Sequence, residues 1–314
     1  MRTISAVVLL ALWCGCSPAP SGPGWVQAAA LPGGALGGPN IILDGDTVLV
    51  GTAQGVARST DDGVTWADSS AGLSTDGGAT DVEAFGVVGT TLLAGGADGT
   101  FRSSDHGLHW QRSEAGLTTA ISPYAFWTVG STVLVGMNAG PNGVYRSTDG
   151  ATTWSLASTG LAGSGASSFA QLGSTVFAAS GVDVARSTDE GQSWSLTASP
   201  GPSNSLWVAT HHGALFVATA NAGVYTSTDG VSFSRRNNGL PSDIVSTVFS
   251  TGDALYAGTG SHGVFVSTND GASWTAFSEG FPQANLPRAV EFALHGKTLL
   301  VVTEFGGVWR RALP

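Results

Sequence analysis

The sequence predicts an all-β protein, a seven-bladed β-propeller in which each blade holds four strands. Three observations support this prediction: the composition, a tryptophan-containing motif that recurs, and seven strand starts spaced by 40 or 44 residues. The 314 residues include 46 glycines and 10 tryptophans, and only 11% of them are charged. Frequent turn residues, many β-branched residues and few helix-forming charges favour short strands.

Seven strand starts define the repeat. Each pairs a glycine, or once an aspartate, with a following valine or threonine, and successive starts lie 44, 44, 40, 40, 40 and 44 residues apart. This period is typical of a four-stranded propeller blade. The starts are Gly55-Val56, Gly99-Thr100, Gly143-Val144, Asp183-Val184, Gly223-Val224, Gly263-Val264 and Gly307-Val308.

A motif of the form Ser-x-Asp-x-Gly-x-x-Trp follows six of these starts. It is complete at 59–66, 103–110 and 187–194, has its glycine moved at 147–154, is decayed at 227–233, and has Asn269 for the first aspartate at 267–274. Aspartate, and serine more weakly, accepts hydrogen bonds from turn amides, and glycine supplies a positive φ. Tryptophan buries a large ring while its N–H finds a partner.

The motif therefore predicts a tight hairpin that leads into an outer strand and stabilises the fold. The residues expected to have this structural role are Asp61, Trp66, Asp105, Trp110, Asp149, Trp154, Asp189, Trp194, Asp229, Asp270 and Trp274.

This motif resembles that of the Asp-box, or bacterial neuraminidase (BNR), repeat family, and the resemblance covers nearly all of the chain after the leader. Members include sialidases, the sortilin ectodomain, endoglucanases that act on xyloglucan, and photosystem II assembly factors. The resemblance implies a propeller whose motif hairpins lie at the rim opposite the ligand-binding face. The motif is specific for the repeat and weak for any single function.

The seventh unit ends after its third strand, so an outer strand is missing there. The N-terminal segment 24–32 resembles the outer-strand segment 274–282 in sequence. We therefore expect residues 25–30 to pair with the C-terminal strand and complete blade seven, which leaves no exposed edge between the first and last blades.

The first residues resemble an export signal. Met1-Arg2 is followed by an apolar run, residues 4–13, and then by Cys14 and Cys16, the two cysteines of the chain. Residues 12–16 resemble a bacterial lipobox with Cys16 as the lipidated residue, and an ordinary secretory signal is the alternative. The expected organisation is a lipoprotein-type signal at 1–16, a linker at 17–23 and the propeller at 24–314. The protein is expected in the bacterial cell envelope, anchored through lipid in the periplasm or at the surface. Secretion is the alternative.

Charge excludes some partners. The net charge is −10 and Lys297 is the single lysine, so nucleic acid is not an expected partner, and a membrane is expected only through the lipid anchor. No cofactor and no metal are expected, because the adjacent His211 and His212, and His106 with His109 in a hairpin, do not show metal-ligand spacing. We expect a monomer that binds a protein or a carbohydrate partner.

The family resemblance implies that loops before the inner strands and between second and third strands form the ligand face. This face would be polar, mostly acidic, and suited to a glycan, a peptide or a cation. Its candidates are Asp76, Asp81, Glu83, Asp98, Tyr124, Asn142, Trp207, Asp243, His262, Arg288 and Glu304, together with Asn138, Asn204, Asn221 and Asn285.

Two functions follow from these residues. The first is an exported binding or scaffolding propeller, since no catalytic constellation is recognisable. The second is a glycoside hydrolase of sialidase or endoglucanase type, for which Glu83, Glu291, Asp81 and Asp243 are candidate carboxylates. A sialidase site would need an arginine cluster, and the Phe/Tyr-Arg-x-Pro segment of those enzymes is missing. Arginines at one third-strand position are expected to lie over blade surfaces near Trp rings; they are Arg58, Arg102, Arg146, Arg186 and Arg310.

Overall fold

The computed structural model describes residues 24–34, 40–74, 80–117, 122–137, 143–161, 165–202, 204–282, 286–304 and 307–314. Within these ranges the chain forms 28 strands arranged as seven four-stranded antiparallel sheets. The predicted seven-bladed propeller is therefore confirmed. Across the same ranges, no helix has the length and apolar character needed to cross a membrane.

The strands have these bounds in chain order: β1 (Val26–Gln27), β2 (Ile41–Asp44), β3 (Thr47–Thr52), β4 (Gly55–Ser59), β5 (Ala67–Asp68), β6 (Val82–Val88), β7 (Thr91–Gly96), β8 (Gly99–Ser103), β9 (Gln111–Arg112), β10 (Pro123–Val129), β11 (Thr132–Met137), β12 (Val144–Ser147), β13 (Ser155–Leu156), β14 (Ser168–Leu172), β15 (Thr175–Ser180), β16 (Asp183–Ser187), β17 (Ser195–Leu196), β18 (Ser205–His211), β19 (Ala214–Thr219), β20 (Gly223–Ser227), β21 (Ser234–Arg235), β22 (Val245–Ser250), β23 (Leu255–Thr259), β24 (Val264–Ser267), β25 (Thr275–Ala276), β26 (Ala289–His295), β27 (Thr298–Thr303) and β28 (Gly307–Ala312).

Blades one to six are runs of four consecutive strands that begin at β2, β6, β10, β14, β18 and β22. Successive inner strands contact one another in a closed circle, from β2 round to β26 and back to β2. All inner strands start at the same face of this ring, which we call the upper face. The motif hairpins and the turns between first and second strands lie at the opposite, lower face. Apolar side chains from neighbouring blades form the buried core between the sheets.

Blade seven contains strands from both ends of the chain. Its order is β1-β28-β27-β26, with β1 antiparallel to β28 and Val26 opposite Arg310. The predicted closure is confirmed, although the paired strand is shorter than residues 25–30. Trp25 is 2% exposed, and its Nε1 donates to the Phe277 carbonyl at 2.6 Å. Its ring stacks on Phe281 with 5.2 Å between centroids.

The motif hairpins share one set of hydrogen bonds. In blade three, the Ser147 Oγ donates to Asp149 Oδ1 at 2.8 Å and accepts from the Ala151 amide at 3.0 Å. The Thr153 hydroxyl and amide donate to Asp149, and these bonds lower the pKa of its carboxyl to about 2. Hydrogen bonds of the same kind lower the pKa to about 2 at Asp61, Asp105, Asp189 and Asp229.

The hairpin of blade six departs from the expected role of Asp270. Asn269 Oδ1 accepts from the Ser273 amide and from the Ser267 hydroxyl, each at 2.9 Å, so Asn269 is the acceptor. Asp270 occupies the next position, as Asp62, His106 and Glu190 do in other hairpins, and the four residues have φ between 55° and 62°. In these blades the hairpin therefore needs two successive residues with a positive φ, whereas the sequence predicted a positive φ only at the glycine.

Four of the five motif tryptophans fasten their blade to the preceding one. In blade three, Trp154 donates from its amide to the Ala115 carbonyl and from Nε1 to the Ser113 carbonyl, both at 2.8 Å. Gly116, with φ at 92°, lies directly against the Trp154 backbone. Trp110, Trp194 and Trp274 form the same pair of bonds. Trp66 differs, since its Nε1 has no partner among the described residues.

Three of the five third-strand arginines donate hydrogen bonds to the hairpin of the next blade. Arg58 Nε donates to the His106 carbonyl at 3.3 Å, and Arg146 Nε donates to the Glu190 carbonyl at 3.0 Å. Arg102 donates to the Thr152 hydroxyl at 2.9 Å. The neighbouring hairpin thus holds these three guanidinium groups, and their expected position near Trp rings stays a prediction.

Candidate functional site

The upper part of the axial channel forms a cavity of about 160 Å³, which we call the upper cavity. It is lined by the first residues of several inner strands, so side chains far apart in sequence meet there. Its lining residues are Asn40, Glu83, Ala84, Phe85, Tyr124, Ala125, Phe126, Trp127, Ser168, Phe169, Trp207 and Glu291. A second cavity of about 330 Å³ shares Asn40, Phe85, Phe126, Trp127 and Glu291 with it.

Strand irregularities bring four of these side chains to the cavity. The pairing of β6 with β7 shifts at Glu83, and that of β10 with β11 shifts at Tyr124. Trp207 and Glu291 directly follow equivalent shifts in β18 and β26. A β-bulge adds one residue to a strand and redirects the side chains beside it, and bulges are frequent next to binding sites.

Glu291 is the carboxylate most affected by its surroundings. Its Oε2 accepts a hydrogen bond from the Ile41 amide at 3.0 Å, across the junction between blades seven and one. Burial raises the pKa of Glu291 to about 8, and this one hydrogen bond opposes the rise. Glu291 is therefore largely protonated at neutral pH and can donate as well as accept a hydrogen bond.

Glu83 and Asp81 form a second acidic group at the start of β6. Burial raises the pKa of both carboxyls, and the charge of Asp81 raises that of Glu83 further. Glu83 Oε2 and Asp81 Oδ1 are buried and have no hydrogen-bond partner among the described residues. A buried polar atom without a partner is unfavourable by about 1–3 kcal/mol, so a ligand that supplies donors would be stabilised here.

Aromatic side chains provide most of the contact area. Tyr124 is 40% exposed, while Trp127 and Trp207 are half-buried. The Trp127 Nε1 is buried and also lacks a partner within the described ranges. Three large rings with one free donor, beside carboxylates with free acceptors, are typical of a site that binds amphipathic ligands.

Of the predicted ligand-face residues, the structure brings Glu83, Tyr124 and Trp207 into one cavity. Asp98, Asp243, His262, Arg288 and Glu304 lie in loops of the same face but do not line it. Asn204 and Asn221 are exposed on these loops. Asp76, Asn138, Asn142, Asn285 and the proposed lipidation residue Cys16 lie outside the described residues.

The surrounding loop residues are bound mainly to one another. Arg288 pairs with Glu304 at 3.2 Å, although its buried Nε has no partner in the described part of the chain. Asp243 pairs with Arg235 and accepts from Asn237. The Asp98 carboxylate accepts from the Thr80 hydroxyl at 2.8 Å. Asp243 and Asp98 therefore stabilise their own loops.

Sequence reasoning missed Trp127 and Asn40 and left the position of Glu291 undecided. Asn40 is structural, since it donates to the Val82 carbonyl and accepts from the Gly51 amide, each at 2.7 Å. One signal was available for the carboxylates: a glutamate inside an apolar inner strand is unusual, and both Glu83 and Glu291 have this position.

Comparisons with known proteins support the fold. A family model described as the DUF6242 beta propeller domain matches residues 176–295. Two solved structures align along nearly the whole chain. YCF48 bound to D1 peptide has a TM-score of 0.68 at 13% identity, covering 94% of this chain and 98% of that one. YCF48 from Cyanidioschyzon merolae has a TM-score of 0.67 at 14% identity, covering 93% and 99%.

Enzymes share the fold as well. A catalytically inactive virginiamycin B lyase from Staphylococcus aureus with quinupristin has a TM-score of 0.73 at 15% identity, covering 92% of this chain and 100% of that one. An ancestral GH74 enzyme has a TM-score of 0.67 at 17% identity, covering 91% and 46%. No curated protein sequence matches this chain. At these identities the solved structures share the propeller architecture with this chain and indicate no common activity.

Proposed function

We propose that this chain is a binding propeller that receives a segment of a partner protein in the upper cavity. The observation that carries the proposal is the set of unsatisfied polar atoms in an aromatic cavity: Glu83 Oε2 and Trp127 Nε1 beside the rings of Tyr124 and Trp207. Free acceptors that are carboxylates favour a basic side chain, so the segment is expected to insert a lysine or an arginine.

Binding a cation would reverse the effect that burial has on Glu83. Desolvation raises the pKa of this carboxyl, whereas a guanidinium or ammonium group within hydrogen-bond reach favours the ionised form. The aromatic rings add contact area and cation–π attraction at small entropic loss. The presence of a D1 peptide on YCF48, a propeller of the same architecture, also supports a peptide ligand.

The test is a peptide array in which each peptide carries one basic residue, followed by fluorescence titration of the best binder. Trp207→Ala and Glu83→Gln are each expected to weaken binding at least about tenfold, the usual effect of removing a central contact. Leu156→Ala, at an exposed outer-strand residue, and Glu190→Gln, at the lower face, are the matched controls. Equal affinity in the cavity variants and the controls would refute the proposal.

A glycoside hydrolase remains the second candidate, because Glu83 and Glu291 line one cavity and burial raises the pKa of both. A hydrolase uses one protonated and one ionised carboxyl about 5–10 Å apart. Screening of chromogenic sialosides and β-glucans tests this candidate. Turnover that is lost in Glu83→Gln and Glu291→Gln would support it and would argue against a function in binding alone.

We further propose that the chain belongs to the Asp-box propellers. The hydrogen-bond pattern that recurs from Ser59 in blade one to Ser267 in blade six supports this proposal. A sequence profile built from this chain should align these hairpins with those of that family. A profile that aligns them out of register would contradict the assignment.

The chain is also proposed to be exported as a monomer and anchored through lipid at Cys16. The anchor proposal rests on the apolar run and the lipobox-like residues 12–16. Labelling with radioactive palmitate should mark the wild-type chain and not Cys16→Ser, and persistent labelling of that variant would refute the assignment of Cys16. Light scattering of the soluble domain measures the oligomeric state.

A further inference from the structure

The lower face holds a cluster of three side chains at the junction of blades five and six. His211, at the end of β18, and His212, in the following turn, both face Asp270 of the next hairpin. His211 Nε2 lies 3.1 Å and His212 Nδ1 lies 2.8 Å from Asp270 Oδ1. The two imidazole rings stack with 4.0 Å between centroids. The rings come together because β18 ends at His211 and His212 lies in the turn that follows.

The backbone at His212 has an uncommon conformation. Its φ is 44°, a left-handed value that few residues other than glycine adopt. Five equivalent turns begin with a glycine instead, with φ between 56° and 61° and open space where a side chain would stand: Gly45, Gly89, Gly130, Gly173 and Gly296. An imidazole is thus placed where the repeat otherwise uses glycine, at some conformational cost.

The carboxylate of Asp270 does not take part in the hydrogen bonds that the motif aspartate makes within the other hairpins. In the complete hairpins both oxygens of the motif aspartate bind the hairpin itself, as they do at Asp61. In blade six the neutral Asn269 has that role, and the carboxylate follows one residue later at Asp270. Asp270 is exposed and turned towards the two histidines.

We propose that His211, His212 and Asp270 form a binding site for a divalent transition metal ion, with Zn²⁺ as the best match. Two imidazole nitrogens and a carboxylate oxygen are a donor set that zinc accepts. The ligand atoms all lie within 4.8 Å of one another. Donors around tetrahedral zinc are about 3.4 Å apart, so the present separations of 3.1 and 2.8 Å need only a small opening.

The second nitrogen of His211 supports this assignment. Its Nδ1 lies 2.8 Å from the Ser250 hydroxyl, the kind of outer contact that orients metal-bound histidines. His212 and Asp270 are exposed, which gives an ion a path of entry and leaves room for a water ligand.

Two other blade junctions serve as internal comparisons. His106 contacts Asp44 at 2.7 Å, and His295 contacts Asp62 at 2.5 Å, both at the lower face. Each has one imidazole, so neither offers two nitrogen ligands. A metal ion at the blade five–six junction would cross-link two blades and stabilise the ring on the face opposite the upper cavity, independently of the proposed peptide binding.

The test uses the full, untagged chain with Cys14→Ser and Cys16→Ser, so that thiols do not bind the metal. Calorimetric titration with Zn²⁺ is expected to show one ion per chain with a micromolar or lower Kd. Tm should rise by about 5 °C at a hundredfold excess over Kd. The affinity should fall as pH drops towards 5, because protons compete for the imidazoles.

The decisive variant is His212→Gly, which restores the residue found in five equivalent turns and is expected to fold. It should weaken Zn²⁺ binding at least tenfold and abolish the Zn²⁺-induced rise in Tm. Asp270→Asn should do the same, whereas the control His106→Gly should bind like the parent chain. Absence of saturable Zn²⁺ binding to the parent chain, or binding that His212→Gly leaves unchanged, would overturn the proposal.

Discussion

Ring closure can be tested with Trp25→Ala. Trp25 belongs to the first described segment of the chain, where a terminal residue would normally contribute little to stability. Here its side chain is 2% exposed and packs on Phe281, and its Nε1 donates to the Phe277 carbonyl. If β1 closes the ring, removal of this side chain should destabilise the protein as much as a substitution in the interior of the chain.

The expected magnitude follows from the burial of the ring. Truncation of a fully buried tryptophan costs about 3–5 kcal/mol, which includes the lost packing and the lost hydrogen bond. With an unfolding entropy of about 2.1 cal/mol/K per residue, a domain of about 290 residues should lose about 7 °C in Tm. Val26→Ala is the matched control, because Val26 is 53% exposed and the backbone pairing of β1 is kept.

Thermal unfolding followed by circular dichroism measures both variants beside Trp154→Ala, which removes the equivalent tryptophan of blade three. The Tm of Trp25→Ala should be close to that of Trp154→Ala, and the Tm of Val26→Ala should lie within about 1 °C of the wild-type value. Deletion of residues 24–31 should lower Tm further, since it also removes the backbone pairing. A Trp25→Ala variant with the Tm of Val26→Ala would refute the closure.

Three further predictions concern the blades and the channel. Gly116→Ala should lower the free energy of unfolding, measured in urea, by at least about 2 kcal/mol more than Gly130→Ala does. The new Cβ at position 116 would stand 2.0 Å from a carbonyl oxygen of the next blade, whereas Gly130 faces open space. Ser147→Ala should lower the free energy of unfolding by about 1–3 kcal/mol, because it leaves the buried Ala151 amide without a partner. Thr148→Ala, at an exposed residue, should lower it by less than about 0.5 kcal/mol. Glu291, whose carboxyl pKa burial raises from 4.5 to about 8, binds its proton more tightly in the folded state, so wild-type stability should fall as pH rises from about 5 to about 8. Glu291→Gln should remove that slope, and a slope that persists would show that another group causes it.

The candidate site was predictable only in part. Glu83, Tyr124 and Trp207 lie near the starts of inner strands, a position that follows from the repeat, and the structure brings them into one cavity. Trp127 was missed, since an aromatic residue inside an apolar strand reads as core. Whether Glu291 meets Glu83 depends on the bulges of β26 and β6, and a bulge leaves no pattern in a short apolar strand.

The zinc ligands illustrate the same limit. His211 and Asp270 are 59 residues apart, and each belongs to a different blade. Their contact follows from the stacking of blade five on blade six, which brings a first–second strand turn against the next hairpin. Sequence showed only two adjacent histidines and an altered motif.

The sequence alone determined the number of blades, the hairpins and the completion of blade seven by the N-terminal strand. These features are encoded within about 40 residues, or by the likeness of one segment to another, so periodicity is enough to recognise them. Only the tertiary structure decided which polar side chains meet, which are buried and which have no partner. The ring brings inner strands and blade junctions together across the whole chain, and the environment of a side chain depends on that assembly.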